Sequence, residues 1–358
     1  MLATTQERKQ ILNPDYFPAT MQAAVLYGPR DLRLERVNLP DLAAGEVLVK
    51  VEAVALCGSD LHFYTGERAL KEPMVLGHEI TGRVVATGPD VAVERLNDRV
   101  AIEPNISCGV CNRCLRGLGR ICQHKQSVAI TRWGGLAEYI AVPTDFAWTI
   151  PETFSLADAA TIEPTAVVIH ALRQAQIKPG STLAVVGCGG VGLLLAITAI
   201  AQGYRVVVIE PNPKRRQAAL SAGVTQAIAT RDAGEAHTFF EQFDVQYIFE
   251  CAGIAVTTQL CLDAAPSGSR IILLGLSAEN VTFNPLRFVR NDLEVRSSLI
   301  YDHPVDFAAT LELIASGRLK PGSTTGQPQP LENVEMLLQA MEEGALDAKP
   351  IIIFPNPT

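Results

Sequence analysis

The chain has 358 residues, 48% of them apolar and 19% charged, with a formal net charge of −8. That length allows two domains, each with its own core, and the composition is that of a folded globular protein rather than a disordered one. The acidic balance excludes a nucleic-acid or anionic-membrane surface, since both need a basic footprint, and no apolar run reaches the ~18 residues of a membrane span. Eight cysteines in a chain this long are not a disulfide scaffold. Several stand at metal-ligand spacings, which predicts a reducing, cytoplasmic home.

Residues 1–20, MLATTQERKQILNPDYFPAT, mix charges and prolines without a signal-peptide core and read as an N-terminal arm. From Met21 the segments AAVLYG, LRLERV, EVLVKVEAVAL, ITGRVVATG, DRVAIEP and GGLAEYIAVP alternate apolar and polar residues. Gly28-Pro29, Pro40 and Gly45 punctuate them. This pattern predicts a mostly-β unit. Within it, Cys57-Gly-Ser59-Asp60-Leu-His62 is followed by Gly77-His78-Glu79. A thiolate, an imidazole and a carboxylate are the ligand types of a zinc site, and a strand-end cysteine and a histidine after a glycine turn can converge in space. Taken alone, Cys57 serves equally well as a small core residue and His78 as a satisfied polar group.

The next cluster is more specific. Cys108, Cys111, Cys114 and Cys122 form C-x2-C-x2-C-x7-C, with glycines for tight turns. Four sulfurs suit a closed tetrahedral zinc with no position left for substrate, so the predicted role is structural.

Further on, Thr182–Glu210 reads as a buried strand (Leu183–Val186), a glycine turn, an apolar helix from about Val191 and a second strand, Arg205–Ile209. The turn Gly187-Cys-Gly189-Gly190-Val191-Gly192 fits G-x-G-x-x-G, and Glu210 closes the second strand. Gly187 permits the turn, Gly189 lets the backbone approach a pyrophosphate, and Gly192 allows close helix–strand packing. The helix N-terminus offers free N–H groups to phosphate, and Glu210 can accept from the adenosine ribose hydroxyls. Beyond it, PKRRQAALSAG, QAIA, GEAHTFFEQF, VQYIFECAG, TTQLCLDAA, RIILLGL and LEVRSSLIY alternate helix and strand, which predicts a doubly wound parallel sheet. Cys251 and Cys261 lack ligand spacing and read as packing, with Cys251 also placed to line a cofactor groove. Two amphipathic helices (DFAATLELIASGRL, ENVEMLLQAMEEG) and the strand KPIIIF close the chain.

Taken together, CGSDLH at 57–62, GHEITGRVVATG at 77–88, the four-cysteine lobe, GGLAEY at 134–139, EPTAV at 163–167 and the glycine turn resemble the zinc-dependent medium-chain dehydrogenases, the alcohol dehydrogenase superfamily. GHE with an EPTAV-type segment is similar to the polyol branch, the sorbitol and butanediol dehydrogenases. The resemblance implies an α/β protein in which a GroES-like, mostly-β catalytic domain (21–170 and 301–358) is joined to a Rossmann domain (171–300). It implies Cys57 and His78 as ligands of a catalytic zinc, Glu79 as a third, and Glu163 reaching the metal directly or through water. Asp60 would orient the His78 ring, and Ser59 and His62 would pass the alcohol proton to solvent. Gly187, Gly189, Gly190, Val191, Gly192, Glu210, Arg215, Cys251, Leu274, Gly275, Leu276, Ser298 and Leu299 are the cofactor-binding positions it implies.

The implied chemistry is interconversion of a secondary alcohol or polyol and its ketone. Zinc lowers the pKa of a bound alcohol, and the resulting alkoxide passes hydride to nicotinamide. Glu210 repels a 2′-phosphate and favours NAD over NADP, although Lys214, Arg215 and Arg216 follow it closely. Arg215 would lie over the adenine. Sorbitol-acting relatives carry an aromatic hydroxyl and an arginine where this chain has Phe63 and Ile300, which points away from sorbitol and toward a smaller diol, a cyclic or amino-polyol, or a plain secondary alcohol. The alternatives are an NADPH-linked ketone or aldehyde reductase, and a non-catalytic nucleotide-binding protein on the same fold. The expected partners are a small-molecule alcohol and further copies of the chain, as a homodimer or homotetramer, with neither nucleic acid nor membrane.

Overall fold

Strand-forming alternation dominates the chain as far as Thr149. The computed structural model describes residues 17–355 with the exception of Glu72, so the first sixteen residues of the expected arm lie outside the described residues. In chain order the first segment contains β1 (Thr20–Gly28), β2 (Asp31–Asn38), β3 (Glu46–Ala55), α1 (Gly58–Thr65), β4 (Met74–Val75), β5 (Glu79–Thr87), β6 (Arg99–Ile102) and β7 (Asn105–Ile106). It continues with α2 (Asn112–Leu115), β8 (Gln126–Ser127), β9 (Tyr139–Pro143), β10 (Ala147–Thr149) and α3 (Leu156–Ala160). The helix α4 (Ile162–Ala175) leads to β11 (Thr182–Val186), α5 (Gly190–Ala201), β12 (Arg205–Ile209), α6 (Pro213–Ser221), β13 (Gln226–Ile228), α7 (Ala233–Gln242) and β14 (Val245–Glu250). Then come α8 (Ala255–Ala264), β15 (Arg270–Leu273), α9 (Pro285–Arg290), β16 (Glu294–Ser297) and α10 (Val305–Ala315), and last β17 (Gln329–Pro330), α11 (Val334–Glu342) and β18 (Ile351–Ile353).

Two units form: Met1–Glu163 with Thr325–Thr358, and Pro164–Thr324. In the first, the main sheet runs β10-β6-β5-β3-β18-β17, with β9 also paired to β3. The last strand is drawn back between β3 and β17, antiparallel to β3 with Ile351 opposite Ala55 and Ile353 opposite Ala53. Its core takes the inward side chains of the strands, among them Val47, Val49, Val51 and Val54 of β3, Ile80 and Val84 of β5, and Leu337 and Leu338 of α11.

The second unit is a parallel sheet in the order β13-β12-β11-β14-β15-β16. That is the 3-2-1-4-5-6 order of a doubly wound sheet, with its switch point between β11 and β14. The central strands β11, β12 and β14 are buried on both faces, which explains their near-continuous apolar sequences. Leu183 and Val185 of β11 pack against α4 and α5, through Val168, Leu172, Leu194 and Leu195. Ala184 and Val186 face the other way, into the cluster with Phe239 and Phe240 of α7 and Leu260 and Cys261 of α8.

The expected domain limits at 170/171 and 300/301 differ from the observed 163/164 and 324/325. The displacement has a packing cause. Val168, Ala171, Leu172 and Ala175 of α4 lie in the core of the parallel sheet, so the helix from Pro164 onward belongs with that sheet.

Candidate active site

The candidate metal centre is built on the carboxyl end of β3. Cys57 follows that strand in extended conformation and is the N-cap residue of α1. The carboxylate of Asp60, one turn on and 1% exposed, ties the pieces together. Its Oδ2 accepts from the Cys57 N–H at 2.9 Å, its Oδ1 accepts from the Gly77 N–H at 3.0 Å, and Oδ1 lies 3.4 Å from His78 Nδ1. Asp60 thus anchors both segments that bring Cys57 and His78 together, and lies beside the His78 ring that the resemblance has it orient. The ligand atoms of Cys57, His78 and Glu79 all lie within 4.8 Å of one another.

This donor set fits a divalent metal. Glu79 is fully buried, and its Oε2 has no hydrogen-bond partner. An orphan carboxylate oxygen beside a thiol and an imidazole is the arrangement a cation completes. The three groups perturb one another's protonation. Burial raises the Cys57 thiol, but the His78 hydrogen bond and the Lys349 charge outweigh burial and bring it down to about 6. Burial lowers His78, yet Asp60 and Cys57 hold it well above its usual value. Burial pushes the Glu79 carboxyl up to about 8 against the pull of Lys349. Glu163, at the start of α4, is buried but does not join the three-atom cluster. Its charge helps to raise Lys349 against burial, which acts in the opposite sense.

Around Cys108–Cys122 the sulfur separations are 3.5 Å (Cys108–Cys122 and Cys111–Cys114), 3.8 Å (Cys111–Cys122) and 3.9 Å (Cys108–Cys114). A tetrahedral zinc with ~2.3 Å bonds places its sulfurs about 3.8 Å apart, whereas a disulfide would hold a pair at about 2.05 Å. All eight cysteines are free. Backbone N–H groups of Cys108 and His124 point at Cys122 Sγ, at 3.5 and 3.3 Å. Such donors stabilise the thiolate form that binds metal.

In the second unit the glycine turn lies between β11 and α5. Gly187 has φ 88°, and a Cβ there would come within 2.6 Å of Ala252 Cβ. A Cβ on Gly192 would lie 1.9 Å from the Gly187 carbonyl oxygen. Gly189 is the N-cap of α5 and provides no side-chain cap, whereas α6 and α7 are capped by Asn212 and Asp232. The first-turn N–H groups of α5 are therefore free for an anion. Glu210 does more than the sequence implies. Its Oε2 accepts from the Cys188 N–H at 2.7 Å and its Oε1 from the Asn212 N–H at 2.8 Å, so it also pins the turn. A groove of about 290 Å³ is lined by Gly187, Gly189, Glu210, Arg215, Cys251 and Thr257.

Residues 43–152 match the alcohol dehydrogenase GroES-like domain and residues 190–316 match the zinc-binding dehydrogenase domain. A sorbitol dehydrogenase of Bacillus subtilis is 32% identical over 349 residues, covering 95% of this chain and 98% of its own length. The chain belongs to the zinc-dependent medium-chain dehydrogenases. Among solved structures, an alcohol dehydrogenase of Escherichia coli CFT073 complexed with NADH has TM-score 0.88 at 26% identity, covering 94% of this chain and all of its own. The 2R,3R-butanediol dehydrogenase of Bacillus subtilis has TM-score 0.84 at 25% identity, covering 94% and 100%. This medium-chain dehydrogenase lies in the polyol branch and is a zinc-dependent alcohol or polyol oxidoreductase.

For a member of that family, the remaining predicted positions fall as follows. Ser59 and His62 are three apart on α1 and share a face. Cys251, at the carboxyl end of β14, lines the groove, whereas Leu274, Gly275, Leu276, Ser298 and Leu299 follow β15 and β16 and are not among its lining residues. The Ser298 hydroxyl is buried without a partner, and its N–H donates to the Leu273 carbonyl. Cys261 is fully buried packing, as expected.

Glu67 and Lys349 escaped the sequence reading, and Glu250 was read only within the strand-end segment VQYIFECAG. Glu67 accepts or shares a proton with His62 Nδ1 at 2.7 Å, and Gly66 in the left-handed region turns it back onto the helix. Glu250, fully buried, takes the N–H groups of Ala252 and Gly253 (both 3.0 Å) and the Thr257 hydroxyl (2.7 Å), and so shapes the groove wall. Lys349 meets Glu79 across 270 residues. The glycine after α1 could have exposed the first; nothing local signals the last.

Proposed function

We propose that Cys57, His78 and Glu79 hold the catalytic zinc, that Cys108, Cys111, Cys114 and Cys122 hold a structural one, and that the substrate is a small secondary alcohol or diol oxidised with NAD. The observation that carries this is the convergence of the Cys57, His78 and Glu79 donor atoms, anchored through Asp60, with one carboxylate oxygen unsatisfied. Zinc there would supply Lewis acidity toward the substrate oxygen. Ser59 and His62 are positioned to carry the proton away, with Glu67 holding Nδ1 of His62 and leaving Nε2 to accept. In the other unit, the uncapped α5 N-terminus receives the pyrophosphate and Glu210 the adenosine ribose.

NAD rather than NADP is supported by the buried Glu210 carboxylate and by the fates of its basic neighbours. Arg216 is engaged with the carbonyls of Glu210 and Pro211, both at 2.7 Å, and Lys214 is exposed, leaving Arg215 on the groove. A substrate with fewer hydroxyls than sorbitol is supported by Phe63 and Ile300. Each polyol hydroxyl buried without a partner would cost on the order of 1–3 kcal/mol. For assembly, the edge strand β16 with exposed Leu286, Val289 and Val295 nearby supports a homo-oligomer. Free thiols throughout support a reducing cytoplasm.

The test is a panel of secondary alcohols, diols and polyols, each with NAD and NADP, alongside metal analysis. The reading expects the best catalytic efficiency with a small secondary alcohol or diol and NAD, and about two zinc ions per chain. Equal efficiency with NADPH overturns the cofactor assignment, and full activity of metal-analysed Cys57→Ser overturns the metal assignment.

A further inference from the structure

The metal centre contains one charged group that ligation and proton transfer leave unused. Lys349 Nζ lies 2.7 Å from Glu79 Oε1, and the two side chains are 10% and 0% exposed. Bringing a lysine into such a site is costly unless it is paired, so the pair has a specific partner rather than a solvated one. Its backbone is fixed from both sides. The Lys349 carbonyl accepts from the Gly326 N–H at 2.9 Å, and the next carbonyl, of Pro350, accepts from the Leu56 N–H at 3.0 Å, one residue before Cys57. The ammonium therefore takes one oxygen of Glu79, and the other, Oε2, is the buried atom without a partner.

We infer that Lys349 is a positioning residue which, by holding Oε1, limits Glu79 to a single-oxygen ligand and so keeps a coordination position open for substrate. The inference rests on the reading that Cys57, His78 and Glu79 bind the catalytic metal. The physical reasoning is a matter of donor count. A catalytic zinc keeps three protein donors and one free position, whereas a structural one is closed by four. Cys57, His78 and one Glu79 oxygen supply three. A carboxylate can also bind through both oxygens, and here, among the described residues, the hydrogen bond of the Lys349 ammonium is what occupies the second. Without that bond, Oε1 would be a further donor competing with the alcohol oxygen. Asp60 cannot substitute for Lys349, because its carboxylate only accepts hydrogen bonds, from the N–H groups of Cys57 and Gly77.

The experiment uses full-length Lys349→Met, with Lys349→Gln as the variant that keeps an N–H donor. Both are loaded with Co(II) at the catalytic site and with zinc at the cysteine site. Substrate-free visible spectra report coordination number, because d–d bands weaken as a tetrahedral ion gains a ligand. Lys349→Met should show weakened bands, slower release of its catalytic metal to a chelator, and a kcat/KM lower by about 10–100-fold. Lys349→Gln should stay close to the parent spectrum. Parental bands and parental metal release in Lys349→Met overturn the inference, as does faster release. If Lys349→Met does not fold, a zinc-loaded structure of the parent decides. One Glu79 oxygen on the metal with the other on Lys349 upholds the inference, and two on the metal overturns it. A metal that Glu79 does not touch at all would instead refute the underlying ligand assignment.

Discussion

Replacing Gly192 with alanine tests the dinucleotide turn with a single methyl group. The new Cβ would lie 1.9 Å from the Gly187 carbonyl oxygen and 3.3 Å from Val185 Cγ1, whereas side-chain carbons essentially never come closer than 3.0 Å to another heavy atom. Both obstacles are fixed. The oxygen is backbone at the tightest point of the turn, and Val185 is a fully buried strand residue. The start of α5 must then move away from β11 by about 1 Å, on a scale where overpacking costs ~1–3 kcal/mol. The first-turn N–H groups move with it. A hydrogen bond to a charged phosphate contributes about 1.5–3 kcal/mol, so losing one or two weakens cofactor binding by at least about tenfold and by up to about 2 × 10⁴-fold. Gly190→Ala is the internal control. It stands two residues away on the same helix with nothing within 4 Å of its Cβ, and should bind almost as the parent does. Fluorescence titration with NADH, alongside thermal unfolding of each variant, reads both effects. If Gly192→Ala binds NADH within twofold of the parent, the close approach of helix and turn is not what positions the phosphate donors.

Other outcomes follow from the same geometry. Cys108→Ser should reduce the metal content from about two zinc ions per chain to about one, with a lower melting temperature, measured by elemental analysis and calorimetry. Asp306 is fully buried, with Oδ1 accepting from Arg173 at 2.8 Å and Oδ2 lying 2.7 Å from His170 Nδ1, so Asp306→Asn should cost on the order of 3 kcal/mol in denaturant unfolding. Burial raises that carboxyl, but His170 and Arg173 outweigh it and hold it below its usual 3.8. The folded state thus favours the ionised form. Its stabilisation is complete above the unfolded value and is lost as pH falls through the lowered folded one, so the parent–variant difference should shrink only below about pH 4. Glu67→Gln should leave cofactor binding intact and lower turnover, with partial rescue by added imidazole. Unchanged turnover across the pH range would remove Glu67 from the proton path.

Much of the second unit was legible in the sequence because its strands are buried on both faces and its turns are glycine-marked. Arg205–Ile209 was placed to the residue, and the helix after the glycine turn begins one residue before the expected Val191. The first unit was less so. Its short strands β4, β7 and β8 contain only two residues each and leave no periodicity to read. The domain limit was misplaced because α4 carries Glu163 at its start and Rossmann core residues in its body, and a motif at one end of a helix says nothing about what its other end packs against. The convergence of Cys57, His78 and Glu79 was implied by the resemblance, because residue type alone left a packed cysteine and a satisfied histidine equally open. Lys349 was not, because its contact with Glu79 depends on the pairing of β18 with β3, and strand pairing between segments this remote has no local signature.

That pairing also constrains how the protein is made. The edge of β3 at Ala53–Ala55 waits for Ile351–Ile353, roughly 300 residues later, or about 15–60 s of ribosomal elongation at 5–20 residues per second. The whole of the parallel-sheet unit emerges in that interval. A nascent chain therefore carries an open strand edge just before Cys57, the kind of template that recruits other strands. Ribosome-bound chains stalled before Lys349 should be the aggregation-prone species of this protein, and its yield in a cell should depend more on protection during synthesis than on the stability of the finished fold.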